Sequence, residues 1–487
     1  MMMDVELLLL IPAVAAVLSA VTPGGKITAA VSVIGSAALL IASVPMCIKA
    51  MNGTVTEYGL WYVDGLSILF IILIGIVGLM SALYSYGYLS TDLENGEIVP
   101  KDIRTYHVMF NLFLMTMIAV FVFSSMGIMW IAIELTTLVS VFLVGFYRKN
   151  TSLEAAWKYL MICSVGITLG LVGITLVYAS SSSILAGDPG ALDWSVLFSA
   201  AAGLDPVLIK VAFIFVIIGF GTKMGLVPMH TWLPDAHSQS PTPISAMLSA
   251  ALLNCALYAI LRFQMITEIT VPGFASSLML GFGILSLAAA GLFIIASKTI
   301  KRMLAYSSIE HMGIIAIGFG IGTPLAVFGA FFHIIAHSLT KPLLFFAAGN
   351  VIHGYGTREM EEVRGLRKTM PFTSLMLGAG VLAIIGMPPF SVFIGEITIL
   401  GGAVGAGMYH IALLAAVFII FAFAGMVRNV FPMMRGEPKG EVKAVKGIVR
   451  MVPLAVLLAM TLFLGLFMPE PLGNALRALA EWFTGAV

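Results

Sequence analysis

The chain has 487 residues, 60% hydrophobic and only 10% charged, and its 25 Lys and Arg against 24 Asp and Glu leave a net charge of +1. That balance excludes an ordinary soluble domain, and with no basic run interleaved with aromatics it excludes nucleic-acid binding. Cys47, Cys163 and Cys255 stand singly inside apolar runs, a spacing that fits no metal site, cluster or disulfide framework and reads as small buried hydrophobes.

The N-terminal MMMDVELLLLIPAVAAVLSAV carries Asp4 and Glu6 where a signal peptide has a basic flank, so it reads as a retained first span. Apolar runs of about 20 residues each predict an all-α polytopic membrane protein with about fourteen transmembrane helices. They lie near 4–22, 27–48, 61–86, 105–125, 127–147, 155–179, 206–227, 243–265, 275–296, 303–322, 325–350, 371–402, 408–430 and 450–468. The seventh is interrupted at Pro228 and continues as a short half. The twelfth is interrupted at GMPPFSVFIGE, where Pro388 and Pro389 precede Glu396. Two proline-broken spans, each with one intramembrane charge (Lys223 and Glu396), are the pattern of an inverted-repeat transporter. Spans 4–8 (104–265) and 9–13 (275–431) are then the repeats. They are flanked by a three-helix segment (1–103) and by a basic loop, last span and short amphipathic tail (432–487).

Orientation follows from Lys and Arg. The odd-numbered loops hold nineteen of them, Lys446 included, and the other side three (Lys49, Arg262 and Arg477), so the odd loops are expected in the cytoplasm and both termini outside. The polar segment 180–205 reads as a surface loop, and 435–450 as a basic connector with a solvated face near anionic lipid.

The chemistry-bearing stretch is KMGLVPMHTWLPDAHSQSPTPISAMLSAALL, where Lys223 lies in an apolar run and His230, Asp235 and His237 follow the proline break. A lysine stranded at membrane depth costs about 3 to more than 10 kcal/mol, and an interrupted helix is tolerated there only inside protein or beside a wet cavity. The combination reads as an ion path in preference to a lysine snorkelling to an interface. Glu134 lies mid-span in WIAIELTTL, about 10 Å deep at helical rise; a neutral carboxyl bonded to a neighbouring helix is the alternative. In FFHIIAHSLTKPLLFF, His333, His337 and Lys341 recur at i, i+4 and i+8, one face of one helix, which reads as a proton or water wire. His311, beside Glu310 in the tenth span, is a candidate to join that line. For Glu396 two readings stand, a terminal proton or cation site and a carboxyl that only caps the restarted half-helix.

Four segments resemble one superfamily, the antiporter-like subunits of respiratory complex I, Mrp-type cation/proton antiporters and group 4 membrane-bound [NiFe] hydrogenases. They are the stretch above, WIAIELTTLVSVFLVGFYR (130–148), KRMLAYSSIEHMG (301–313) and HSLTKPLLFFAAGNVIHGYGTREMEEVRGL (337–366), and the likeness spans roughly 60–430. The resemblance makes Glu134 the partner of Lys223, a switch in which a nearby carboxylate favours the charged amine and its withdrawal favours the neutral one. Asp64 matches a family position near the third span and reads as orienting that helix in preference to carrying protons. Many members have a lysine where this chain has Asn254, which cannot titrate but can hold water; with SSIEHMG and SLTKPLLFFAAGN, that wording is closest to the hydrogenase-associated branch. The expected axis runs Glu134, Lys223, Asn254, His311, His337 or Lys341, then Glu396. The resemblance also implies proton translocation or Na⁺/H⁺ exchange as part of a membrane arm, with a redox-independent Mrp-type antiporter as the alternative. No cofactor or metal is expected in this chain. Ni–Fe, iron–sulfur clusters or quinone are expected in partners. Those partners would be a membrane anchor, a peripheral redox arm, and other antiporter-like and small membrane subunits, all in the cell membrane.

Overall fold

The computed structural model describes residues 2–485 apart from Asn52, Pro189, Ala444 and Lys446, so one lysine of the orientation count lies outside the described residues. Thirteen described helices are long and apolar enough to cross a membrane. The remaining predicted span is two shorter apolar helices, Pro371–Ile384 and Ser391–Gly405, so the break at Pro388 and Pro389 separates true half-helices.

The interior is sorted by polarity in the sense opposite to a soluble protein. The central stretches of Thr242–Thr270, Ile300–Ile321 and Pro324–Tyr355 are buried throughout, whereas those of Tyr409–Met434 and Ile448–Leu466 are only 28% buried and present residues such as Leu413 and Ile420 outward. The buried spans carry Asn254, His311, His333, His337 and Lys341. With lipid as solvent there is no gain in hiding leucine, and a large cost in exposing a histidine or lysine.

Both breaks are built to satisfy the backbone they free. The seventh span runs Pro206–Met224 and stops at Gly225, whose φ of 85° a side chain would resist. Val227 N–H donates to Ser286 Oγ at 2.9 Å, and Trp232 Nε1 donates to the Thr222 carbonyl at 2.8 Å. The chain resumes as the short helix Trp232–Gln239. In the eighth span a wider turn, Leu248–Leu252, interrupts the α-helix just before Asn254. Such turns occur mostly at functional positions.

Three expectations need correction. Residues 56–63 form a small antiparallel hairpin, Thr56–Tyr58 with Trp61–Val63, so the third span begins only at Gly65, capped by Asp64, which accepts from Ser67 N–H at 2.9 Å. The 180–205 segment is not just a surface loop: Trp194–Ser199 is a helix, and Trp194 is buried with its indole donating to the Arg262 carbonyl. Arg262, placed by charge counting in an outer loop, is buried within Leu253–Thr270 and paired to both Asp64 oxygens at 2.8 and 2.7 Å. A guanidinium needs such a fork to leave water. The amphipathic tail is the helix Glu470–Gly485, seated through Phe483 on Phe319 and Phe331.

Candidate functional site

Lys223 occupies the last turn of the broken seventh span, where the negative end of the helix dipole favours a cation. It is fully buried and donates to Tyr159 Oη at 2.5 Å and Thr137 Oγ1 at 2.8 Å, with the ammonium 4.6 Å from the Tyr159 ring centre. Tyr159 Oη is in turn bonded to Ser140 Oγ at 2.7 Å. The expected direct partner is elsewhere: no ion pair joins Glu134 to Lys223 among the described residues. Glu134 Oε1 instead accepts from Ser164 Oγ at 2.7 Å, and Oε2 is buried without a partner. The correction has a geometric cause. Thr137, one helical turn along from Glu134, points at the lysine and the carboxylate points to the sixth span.

The centre is built by the eighth, tenth and eleventh spans. Asn254 Nδ2 donates to the Ala250 carbonyl and to Ser338 Oγ at 2.9 and 3.0 Å, leaving Oδ1 free of protein partners. Ser249 and Ser308 hydroxyls meet at 2.7 Å. Lys341 donates to the Leu304 carbonyl at 3.1 Å, and Glu310 of the adjoining tenth span is buried as well. Beside Lys341, His337 has neither ring nitrogen bonded to protein, and its ring centre is 5.5 Å from that of His311.

At the far end His311 Nδ1 and His333 Nε2 are 2.9 Å apart, and polar atoms of His311, His333 and Glu396 all lie within 4.8 Å of one another. Glu396 is the sixth residue of Ser391–Gly405, and no acidic residue occupies that helix's first turn, so the capping reading fails. Its carboxylate lies over the preceding break: a Cβ on Gly386 would collide with Oε2, and φ there is 68°. Oε1 has no protein partner. His333, secondary in the sequence reading, is therefore the contact between His311 and the Glu396 end, and Lys341 lies on the other side of His337.

The remaining candidates separate. His237 is buried, stacked 5.4 Å from Phe345, with both ring nitrogens unpartnered. His230 sits beside the stacked pair Phe293 and Tyr306, its ring centre 6.1 and 6.5 Å from theirs. Asp235 does not join the row. It pairs with Arg302 at 2.7 Å and Lys158 at 3.4 Å, both well exposed, on the rim of the protein.

Sequence reasoning missed two things. The hydroxyls of Thr137, Tyr159 and Ser140 around Lys223 were hidden, as were Ser164 at Glu134 and Ser338 at Asn254, because Ser, Thr and Tyr are unremarkable inside apolar runs; the signal for the first group was T-T-x-x-S within the Glu134 span. The other is a buried network around Arg450, expected on a solvated connector. Arg450 donates to Asn350 Oδ1 and Thr91 Oγ1, both at 3.0 Å, and to Tyr84 Oη at 3.2 Å, and it meets His353 Nδ1 at 3.1 Å. His353 Nε2 lies 2.9 Å from Asp92, which also accepts from Tyr147 at 2.7 Å.

Residues 123–423 match the family model described as NADH:quinone oxidoreductase/Mrp antiporter, TM. The chain belongs to this antiporter-like transmembrane family. Among its relatives is the hydrogenase-4 component F homolog of Methylacidiphilum infernorum, 40% identical over 422 residues, 86% of this chain and 87% of that one. A component of the Na(+)/H(+) antiporter of Alkalihalophilus pseudofirmus is 30% identical over 356 residues, 69% of this chain but only 42% of the relative. In fold, a chain of the archaeal membrane-bound sulfane sulfur reductase aligns with a TM-score of 0.87 at 24% identity over 99% of both chains. A chain of the Mrp complex from Dietzia aligns at 0.85 and 20% identity, over 100% of this chain and 99% of that one. The antiporter-family match covers every candidate of the buried row, from Glu134 to Glu396.

Proposed function

We propose that this chain carries protons across the membrane as an antiporter-like subunit of a larger complex, through a row that starts at the half-buried Glu134 and continues through the buried Lys223, Asn254, His337 with Lys341, His311, His333 and Glu396. One observation carries the reading. Titratable and hydroxyl side chains of the fifth to eighth and tenth to twelfth spans form an interior series walled by apolar helices, and many of its polar atoms lack protein partners. Buried groups of that kind call for water or for one another, and both conduct protons. Glu134 holds the Ser164 hydroxyl and Lys223 the Tyr159 and Thr137 hydroxyls, two separate groups that water or a side-chain rotation would have to join.

In this reading the two broken helices belong to two repeats, 104–265 and 275–431. Each repeat has five spans, an odd number, so corresponding spans run in opposite directions. Glu396 is the exit site on the outer side, the Lys- and Arg-rich loops face the cytoplasm, and both termini are external. His237, buried against Phe345 of the eleventh span with both ring nitrogens unpartnered, supports a cytoplasmic branch. The similarity to a hydrogenase-4 component favours coupling to a redox arm, with Ni–Fe, iron–sulfur or quinone chemistry in partner subunits and protons as the cargo. Similarity to a Na(+)/H(+) antiporter component keeps Na⁺ as the alternative ion and a redox-independent assembly as the second reading.

The test is acidification of inverted membrane vesicles containing the native complex, driven in one arm by electron donors and in the other by an imposed Na⁺ gradient. Lys223→Ala is expected to abolish acidification while the complex still assembles. Full pumping by an assembled Lys223→Ala complex refutes the proposal, since no other charge sits at that depth of the seventh span. Acidification by the gradient alone selects the redox-independent reading.

A further inference from the structure

Away from the row, a groove of about 560 Å³ opens between the first half of the twelfth span, Pro371–Ile384, and the end of the thirteenth, Tyr409–Met434. Its volume is that of an ordinary ligand site. The walls are Leu375, Ala379, Leu382 and Phe431, and the two residues at its mouth are Arg367 and Arg435. From Pro371 to Leu382 the groove descends eleven residues of helix, about 17 Å at helical rise, and small Gly378 and Ala379 leave it open. Both arginines are exposed, and neither guanidinium has a hydrogen bond or ion pair among the described residues. Neighbouring charges do pair off: Lys368 is bound to Glu437. The unpaired arginines are therefore not there for want of acidic neighbours.

A membrane-depth apolar slot with two unpaired arginines at its rim matches one class of molecule. We propose that this groove binds an anionic phospholipid, its phosphate held by Arg367 and Arg435 and one acyl chain lying along Leu375, Ala379, Leu382 and Phe431. Guanidinium groups offer forked donors that fit phosphate oxygens, and basic pockets between spans on the cytoplasmic side are a recognised form of lipid headgroup recognition. The apolar depth distinguishes a lipid from free phosphate, which would occupy only the mouth. The inference needs only that the chain is seated in a membrane and does not depend on the transport reading. Its position matters because the half-helix forming one wall ends at the break where Gly386 meets Glu396. A lipid in the groove bears on that half-helix.

The test is native mass spectrometry of the full chain in its complex, extracted in mild detergent and then offered phosphatidylglycerol or phosphatidylcholine in nanodiscs. Selective retention of phosphatidylglycerol is expected, weakened about tenfold by Arg367→Gln or by Arg435→Gln, the loss of one charge-assisted contact each. Ala379→Phe, which fills the slot and leaves both arginines, is expected to abolish retention as well. Millimolar inorganic phosphate is expected not to displace the lipid. Equal retention of both lipids, retention undiminished in Ala379→Phe, or displacement by inorganic phosphate each overturns the proposal. So does a groove filled by a partner protein that copurifies in stoichiometric amount with no lipid.

Discussion

Tyr159→Phe isolates one hydroxyl in the proposed route. The ring stays, so packing against Trp232 at 4.8 Å and the cation–π contact with Lys223 at 4.6 Å are retained, and no cavity larger than one oxygen is left. What is lost is the shorter of the lysine's two hydrogen bonds, 2.5 Å to Tyr159 Oη against 2.8 Å to Thr137 Oγ1, together with the Ser140–Tyr159 link. A hydrogen bond to a charged group contributes about 1.5–3 kcal/mol, or roughly 10- to 150-fold in any step that depends on it. Vesicle acidification by Tyr159→Phe is therefore expected to fall by at least about tenfold, with assembly intact. Ser140→Ala, one bond further from the amine, should fall less. Acidification at the unmodified rate in Tyr159→Phe, alongside loss in Lys223→Ala, would show that protons reach the lysine without this hydroxyl and would refute the linked arrangement.

Glu134→Gln should lower pumping strongly and Glu134→Asp only partly, read as initial acidification rates; equal rates for the two would remove the carboxylate from the route. Glu396→Gln should assemble and fail to pump, because an amide cannot take up and release a proton, and pumping at the normal rate would move the exit elsewhere. Asp64→Asn leaves the Arg262 guanidinium buried without its counter-charge and should cost about 3–5 kcal/mol of stability, seen as a lowered thermal aggregation midpoint in detergent. Asp64→Asn combined with Arg262→Met should recover much of that loss, and a double variant no better than the single would refute the ion-pair account. Gly386→Ala should impair pumping, since its methyl group meets the Glu396 carboxylate; normal pumping would mean that the carboxylate has room to move aside.

Much of this was legible in the chain because lipid simplifies the code. Spans announce themselves as apolar runs, and the breaks as Pro228, Pro388 and Pro389. The stripe His333, His337 and Lys341 could be read because helical spacing fixes azimuth within one helix. Azimuth between helices was not legible. Depth puts Glu134 and Lys223 at comparable levels, yet which face each presents depends on how the fifth, sixth and seventh spans pack. Thus Thr137 rather than Glu134 reaches the amine. Arg262 and Arg450 misled charge counting for a related reason. An arginine near a helix end looks the same in sequence whether it faces solvent or a buried carboxylate such as Asp64, or the Asn350 and His353 cluster.

The Arg450 network also bears on the order in which the molecule can be finished. Thr91 and Asp92 belong to the third span, and Asn350 and His353 to the eleventh, so all are inserted before the fourteenth span brings the guanidinium that joins them. Until then the growing protein holds buried hydrogen-bonding groups with no cation between them, a state costly enough to stay loose. The fourteenth span, otherwise mostly a greasy outer strip, thus closes a network that the third and eleventh spans leave open.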